Sequence, residues 1–234
     1  YKVSASGGTP SKIVEDAGIY TDLAWDEKSN RIVFVYGPAQ AYKTAIGPNA
    51  FGAQEFLGWV DADGGEVNKI AESNGRTSPH FVKSNNRIYL YSGSKGLVSL
   101  RWDGTDEKQH LKVTGIQTFA FTHDHNHMLA ETEREPQRRP SNASVVHMAP
   151  EGDKALAKIN NDIYVVTVPM VGGDVPTISV ASVEAAQFPS WKLTKMGGEF
   201  PQWSADGKSV YWSLGNAHFH YDLEEAKRVE EEMK

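Results

Sequence analysis

Histidine side chains are the groups of this sequence best suited to chemistry. His123, His125 and His127 alternate in the segment THDHNHM, and Asp124 lies between the first two. Imidazole and carboxylate groups bind Zn²⁺, Ni²⁺ or Cu²⁺, and alternate residues of a strand share one face. These three histidines are therefore the candidate metal ligands, although the repeats described below favour a solvated turn at this position.

Other candidate sites are weaker. His218 and His220 alternate in NAHFHYDL, which predicts a strand with both rings on one face, used for packing or hydrogen bonding. The segment Asp61–Glu66 lacks the oxygen spacing of a calcium loop and is interpreted as a plain turn. No nucleophile elbow, phosphate-binding loop or His-Glu-x-x-His helix occurs, so no catalytic residue is assigned and no cofactor is expected.

A repeated pattern predicts where these residues lie. A large apolar residue, a polar turn and an apolar strand recur, most clearly in WSADGKSVYWS, where Asp206 and Gly207 form the turn. Such turns reverse the chain between two strands, because Gly accepts positive φ and Asp bonds turn amides. The apolar anchors of the five repeats are Trp25, Phe81, Phe121, Met148 and Trp203.

A second class of hairpin lies between the anchored ones. Its four members begin at Tyr1, Gly58, Val98 and Tyr164, and each places Gly between two short strands. Two hairpins make a four-stranded antiparallel sheet, so the sequence predicts an all-β fold, a β-propeller of about five or six four-stranded blades. The interval between Phe121 and Met148 is too short for a full blade, so one blade is predicted to be truncated.

The termini complete the predicted organisation. The hairpin at Tyr1–Val14 is expected to pair with the last one, at Phe200–Ser213, and so to close the ring and remove exposed sheet edges. The segment from Asp222 has apolar residues near helical spacing, which predicts a short C-terminal helix or a linker. The propeller is therefore assigned to residues 1–221 and the helix or linker to 222–234. The chain opens in YKVSA without an initiator Met, which we interpret as a mature form or a fragment.

Composition excludes several classes of function. The 24 Lys and Arg residues are outnumbered by 30 Asp and Glu, and no basic cluster is present, so nucleic acid or an anionic membrane surface is not an expected partner. The absence of Cys excludes disulfides and thiolate metal sites. No apolar run approaches the ~20 residues of a membrane helix, so membrane insertion is not expected.

The repeats also resemble a known family. PQWSADGKSVYWS is similar to the TolB-like (WD-type) repeat, and the segments Ser99–Gly115, Ala155–Val180 and Gly197–Glu224 resemble the propeller that precedes the catalytic domain of large exported bacterial amidohydrolases. The resemblance implies a propeller, a periplasmic or secreted location and a metal-dependent hydrolase domain in the parent protein. The chain itself stops where that hydrolase barrel would begin.

Three functions follow from this interpretation. The first is a noncatalytic propeller that binds a protein or a ligand beside an amidohydrolase domain, with loops at one rim or the central channel as the binding surface. The second is a TolB-like periplasmic module that holds a peptide in its channel. The third is a hydrolase or lyase with dispersed active-site residues, so the sequence leaves open whether this chain is an enzyme, while favouring a noncatalytic one.

Overall fold

The structure is a computed structural model that describes residues 1–26, 28, 30–44, 53–83, 85–119, 137–169 and 174–232. The anchor Phe121 and the three candidate metal ligands, His123, His125 and His127, lie outside the described residues.

Sheet 1 contains four consecutive antiparallel strands in chain order. They are β1 (Gly18–Trp25), β2 (Arg31–Pro38), β3 (Phe56–Asp61) and β4 (Asn68–Glu72), and helix α1 (Ala39–Thr44) follows β2. The apolar run in β2 is buried on both faces, because Val33 and Phe34 point to opposite sides of the sheet. The first anchored hairpin and the hairpin from Gly58 thus supply the two halves of this sheet.

Sheet 2 repeats the same order. Its strands are β5 (Arg76–His80), β6 (Ile88–Ser92), β7 (Gly96–Leu100) and β8 (Lys108–Phe119). Strand β8 extends past β7, and its second half pairs antiparallel with β9 (Gln137–Asn142). The Pro- and Arg-rich segment that precedes the third described sheet therefore supplies one strand to sheet 2.

Sheet 3 departs from the predicted pairing. It contains β10 (Val145–Met148), β11 (Lys154–Ile159), β12 (Asp162–Thr167) and β14 (Ser190–Lys192). The predicted hairpin from Tyr164 to Val180 does not form, because β13 (Thr177–Ser179) leaves sheet 3 and pairs parallel with β8. Burial explains this difference, since Ile178 and Val180 enter the apolar core between sheets 2 and 3.

Sheet 4 has three antiparallel strands. They are β15 (Glu199–Trp203), β16 (Ser209–Leu214) and β17 (Ala217–Asp222), and helix α2 (Leu223–Glu232) follows directly. The Asp222 carboxylate caps this helix by accepting hydrogen bonds from the N–H groups of Glu224 and Glu225, both at 2.9 Å. The C-terminal helix is thus present, and no fourth strand pairs with β17 among the described residues.

Three apolar cores join successive sheets face to face. One core lies between sheets 1 and 2, around Val33 and Leu90; a second lies between sheets 2 and 3, around Leu97 and Ala157; a third lies between sheets 3 and 4, around Val165 and Trp212. Four antiparallel sheets that pack in series, with the first strand of each innermost, are the blades of a β-propeller. The described residues form four blades rather than about five, because the repeat anchored at Phe121 lies outside them.

The amino-terminal segment does not pair with the last hairpin, so the predicted ring closure is wrong. Lys2 and Ser11 form a single antiparallel bridge, and Ile13 and Val14 pack on the outer face of sheet 1 instead of extending sheet 4. A glycine turn allows this docking: the Gly65 N–H donates to the Ile13 carbonyl at 3.0 Å, and a side chain at Gly64 would come within 2.9 Å of the same oxygen. No helix of the described chain is long and apolar enough to cross a membrane.

Candidate functional site

A cavity of about 490 Å³ lies where the first strands of all four sheets meet. The repeat explains its lining, because the residue before each described anchor faces the cavity. These residues are Ala24, His80, His147 and Gln202. The second residue after the anchor also faces it in three repeats, at Lys83, Pro150 and Ala205. The cavity is therefore the central opening of the propeller.

Bulges shape three of the four inner strands. Asp22, Ser78 and Phe200 each lie three residues before an anchor, and each adopts a positive φ, of 52°, 56° and 54°. The register of β1, β5 and β15 shifts at these positions. Non-glycine residues in this conformation cost on the order of 1–3 kcal/mol each, and bulges commonly redirect side chains at sites. Here the bulges turn Asp22 and Ser78 towards the cavity.

His80 is fixed in one neutral tautomer. Its Nδ1 lies 2.8 Å from the Ser78 carbonyl, and its Nε2 accepts a hydrogen bond from the Met148 N–H at 2.8 Å. The ring therefore carries its proton on Nδ1 and joins sheet 2 to sheet 3. Burial, assisted by the neighbouring His147, lowers the pKa of His80 to about 3. With both nitrogens occupied, His80 is not free to bind a metal or a ligand.

His147 is different, because one of its nitrogens is unused. Its side chain lines the cavity with only 8% exposure, and its Nε2 has no hydrogen-bond partner. The ring lies 4.9 Å from that of His80, and the His147 carbonyl accepts a 3.1 Å hydrogen bond from Trp203 Nε1. Burial lowers the pKa of His147 to about 4, so the imidazole is neutral at pH 7.

Asp22 supplies a carboxylate at the cavity. Burial raises the pKa of Asp22, the negative charge of Glu55 raises it further, and a hydrogen bond from the Ser78 N–H opposes the rise. The Asp22 residue is exposed to solvent. No ion pair to Asp22 is formed by the described residues, which leaves its charge available to a ligand.

Ser99 and His110 resemble a nucleophile and base but do not form one. Ser99 Oγ lies 2.8 Å from His110 Nε2, yet Ser99 is fully buried and also accepts a 2.8 Å hydrogen bond from Arg87 Nε. Asp106 binds Arg87, not the imidazole. Burial lowers the pKa of His110 to about 4, and the positive charges of Arg87 and Lys108 add to this effect. The group is a buried structural network without access for a substrate.

A second cavity, of about 500 Å³, lies between sheet 3, sheet 4 and helix α2. Its apolar wall includes Trp191 and Tyr221, and its charged rim is internally paired, as in the 3.4 Å contact between Lys208 and Glu224. The central cavity is the better candidate because all four sheets reach it and because it contains a buried nitrogen with no partner.

The predicted repeat residues take different positions. Met148 is buried in the core between sheets 2 and 3, and Phe81 and Trp203 pack partly buried against neighbouring cores. The position of Trp25 differs from the expected core position, because this residue is 47% exposed and lines the cavity. Asp206 accepts hydrogen bonds from Ser204 Oγ and the Lys208 N–H, and Gly207 has φ of 72° in the predicted turn.

The pair His218 and His220 lies on β17, as the alternation predicted. Both rings stack on Tyr211, with centroid distances of 5.7 and 4.8 Å, on the exposed face of sheet 4. No group of three or more metal-binding side chains occurs among the residues that the structure describes. The proposed metal ligands of the THDHNHM segment lie outside that part of the chain, so they stay a prediction.

Sequence reasoning missed His80, His147 and Asp22. The signal that could have identified the two histidines is their equivalent position, one residue before the anchors Phe81 and Met148. Asp22 gave no comparable signal, because its importance depends on a bulge and on the distant Ser78.

No family model matches the chain, and no curated protein matches it. Among solved structures, an oligogalacturonate lyase in complex with manganese shares 12% identity over 93% of this chain and 53% of its own, with a TM-score of 0.48. An oligogalacturonate lyase from Vibrio parahaemolyticus shares 11% identity over 91% of this chain and 67% of its own, with a TM-score of 0.45. The chain thus spans about half the length of the first. At these values neither structure carries an argument about this chain, whose fold class rests on its own sheets.

Proposed function

We propose that this chain is a noncatalytic propeller module that binds a ligand in its central cavity. The observation that supports this proposal is the convergence of four inner strands on one cavity whose lining includes the neutral imidazole of His147 and the Asp22 carboxylate, which forms no ion pair with the described residues. Rigid strands with a few placed polar groups in an apolar setting are typical of binding sites. A peptide or another small ligand is the expected occupant.

The proposal includes a partner and a location. From the repeat resemblance, the partner is a metal-dependent amidohydrolase domain, and the location is periplasmic or secreted. The test begins with the native coding region beyond Lys234. The metal content and the hydrolysis of amides, esters and lactones are then measured for the longer polypeptide and for residues 1–234. Fractionation of the native cells tests the location separately.

We expect metal and hydrolysis only in the longer polypeptide. Stoichiometric metal and turnover in residues 1–234 alone would contradict the noncatalytic assignment.

A hydrolase or lyase with dispersed residues is the second candidate. It is favoured by the neutral His147, which has the protonation state of a general base and lines the same cavity as Asp22. Hydrolysis of an amide, ester or lactone by residues 1–234 would support an enzyme if it disappears in His147→Leu and persists in His218→Leu, which changes an exposed histidine as a control. Absence of turnover with the same substrates supports the binding module.

A further inference from the structure

The outermost strand of sheet 4 has an edge that no described strand covers. Sheets 1, 2 and 3 each contain at least four strands, whereas sheet 4 ends at its third strand, β17. The amino-terminal segment does not supply a fourth strand, because Ile13 and Val14 pack on sheet 1. In the part of the chain that the structure describes, sheet 4 is therefore one strand narrower than its neighbours.

The register of β17 determines which backbone groups face this edge. At the end of the strand, the Leu223 N–H donates to the Lys208 carbonyl of the β16 side at 3.0 Å. Hydrogen-bonded pairs alternate along an antiparallel ladder, so Phe219, four residues earlier, also directs its N–H and C=O to β16. The N–H and C=O groups of His218 and His220 therefore point to the open edge, where both residues are exposed.

Strand β17 lacks the features that protect other edges of this molecule. Its six residues pair with β16 in unbroken register, and its sequence AHFHYD contains no Lys and no Pro. By contrast, the outermost strand of sheet 1, β4, contains Lys69, and its register shifts between Leu57 and Gly58. Strand β14 of sheet 3 has only three residues and ends at Lys192. Lysine, bulges and short length prevent edge pairing, so the edge of β17 is the one suited to accept another strand.

The surroundings of β17 indicate which side chains an added strand would carry. Phe219 is 36% exposed and stacks on Trp212 at a centroid distance of 5.5 Å, so an apolar residue on the added strand would extend this surface. Helix α2, which follows β17 directly, contains five Glu against Lys227 and Arg228. This negative charge opposes a second copy of the chain, whose net charge is -6, and attracts a strand with Lys or Arg.

We propose that the edge of β17 binds an extended strand of a partner protein, with an apolar residue beside Phe219 and basic residues near α2. The strand pairs with the backbone groups of His218 and His220 and becomes the fourth strand of sheet 4. Strand β17 lies two strands outward from β15, whose residue Gln202 lines the central cavity. The interaction surface is therefore separate from the cavity and goes beyond the function proposed above.

The test is amide hydrogen exchange of residues 1–234, followed by NMR without and with the basic peptide acetyl-KTVTVTVK-amide at low ionic strength. In the free chain, the amides of His218 and His220 should exchange quickly and that of Phe219 slowly, because only Phe219 bonds to β16. Saturation with the peptide should slow exchange of the two histidine amides at least about tenfold, since each strand added to an edge buries alternate amides.

Two matched peptides separate charge from backbone pairing. Acetyl-ETVTVTVE-amide reverses the charge, and a form of the basic peptide that is N-methylated at its central amides loses the backbone donors. Both should bind at least about tenfold more weakly than the basic peptide, as measured by isothermal titration.

A pair of variants locates the bound strand. His220→Pro removes an N–H that points away from β16, so it blocks the edge and leaves the β16–β17 bonds in place. It should weaken peptide binding at least about tenfold. The control is His220→Thr, which also removes the imidazole but keeps the N–H, and it should bind as the wild type does. Slow exchange of the Phe219 amide shows that sheet 4 is intact in each variant; if His220→Pro does not fold, the N-methylated peptide still tests the pairing.

Several results would overturn the proposal. Slow exchange of the His218 and His220 amides in the free monomer would show that the chain itself covers the edge. Protection that increases with chain concentration, together with a dimer in analytical ultracentrifugation, would assign the edge to a second copy. Equal binding of the basic and acidic peptides, equal binding by folded His220→Pro and His220→Thr, or no binding of the basic peptide would contradict a basic partner strand.

Discussion

At the scale of single residues, three neutral histidines lie in sheets 2 and 3: His80 and His147 meet at the inner strands of the two sheets, and His110 lies on β8 of sheet 2. His80 bonds the Ser78 carbonyl of its own strand through Nδ1 and accepts the Met148 N–H of sheet 3 at Nε2. His147 packs beside it, and His110 stacks on Tyr89 with a centroid distance of 4.9 Å. Their neutrality is a consequence of burial, which lowers all three pKa values to about 3 or 4. Stability at mildly acidic pH should therefore depend on these side chains.

We predict that the free energy of unfolding falls as pH decreases from about 6.5 to 4. The folded-state pKa values lie below the unfolded value of about 6.5, so the unfolded chain binds more protons within this window. The contribution is complete above pH 6.5 and is lost towards pH 4, at up to about 1.4 kcal/mol per pH unit for the buried His147 and less for His80 and His110, which are partly exposed. Urea unfolding at pH 7.5, 6.5, 5.5 and 4.5 measures the slope.

The matched variants separate buried from exposed imidazoles. His80→Asn should flatten the pH dependence, whereas His218→Gln, on the exposed face of sheet 4, should leave it unchanged. A free energy of unfolding that is constant from pH 7.5 to 4.5 would contradict the neutral buried state of these histidines.

At the scale of elements, close contact between the strands of neighbouring sheets depends on small residues. Gly198 precedes β15, and a Cβ at this position would lie 2.4 Å from Trp212 Cδ1 and 2.8 Å from Ile163 Cδ1, both in the core between sheets 3 and 4. The glycine thus allows the start of sheet 4 to approach sheet 3. This constraint is one of space, since Gly198 does not have a positive φ.

We predict that Gly198→Ala destabilises the fold by roughly 1–3 kcal/mol, because an overpacked core displaces side chains or backbone. The control is Gly93→Ala, since a Cβ at Gly93 meets no atom within 4 Å and that substitution should be close to neutral. Urea midpoints of the two variants and the wild type measure the difference. Equal midpoints for both variants would show that sheet 4 does not approach sheet 3 in this way.

The elements also show what sequence could predict. The anchored repeats indicated where the first two strands of each described sheet meet, because turn chemistry and apolar strands are local properties. The anchors of these repeats are Trp25, Phe81, Met148 and Trp203. The pairing of β13 with β8 and of β12 with β14 could not be predicted, since both depend on burial of Ile178 against a distant sheet. The cavity side chains were missed because His147 and Asp22 line the same cavity only when the inner strands of sheets 1 and 3 come together.

At the scale of the whole molecule, the outer faces of the first and last described sheets differ. The outer face of sheet 1 is apolar, with Ile32, Phe34 and Val60, and is covered by Ile13 and Val14. The outer face of sheet 4 presents Tyr211, His218 and His220 to solvent. Among the described residues, the amino-terminal segment thus covers the face that most needs protection from water.

We predict that removal of residues 1–14 lowers the free energy of unfolding by about 1–3 kcal/mol and increases binding of an apolar dye, because Ile13 and Val14 no longer cover sheet 1. Removal of residues 1–10 keeps both side chains and should have a smaller effect. Chemical unfolding and dye fluorescence of the two truncated chains test this. If the two truncations behave alike, the docked position of Ile13 and Val14 is wrong.

The most direct test of the account asks whether sheets 1 and 4 share one cavity. The chain has no Cys, so Ala205→Cys can carry a single bimane label on the wall of the cavity that Trp25 also lines. We predict that Trp25 quenches the fluorescence of this label and that Trp25→Phe relieves the quenching. As a control, the fluorescence of a bimane at Asp63→Cys, on the outer turn, should not change with Trp25→Phe. Identical emission from the Ala205→Cys label with Trp25 and with Phe at that position would contradict the convergence of the four inner strands.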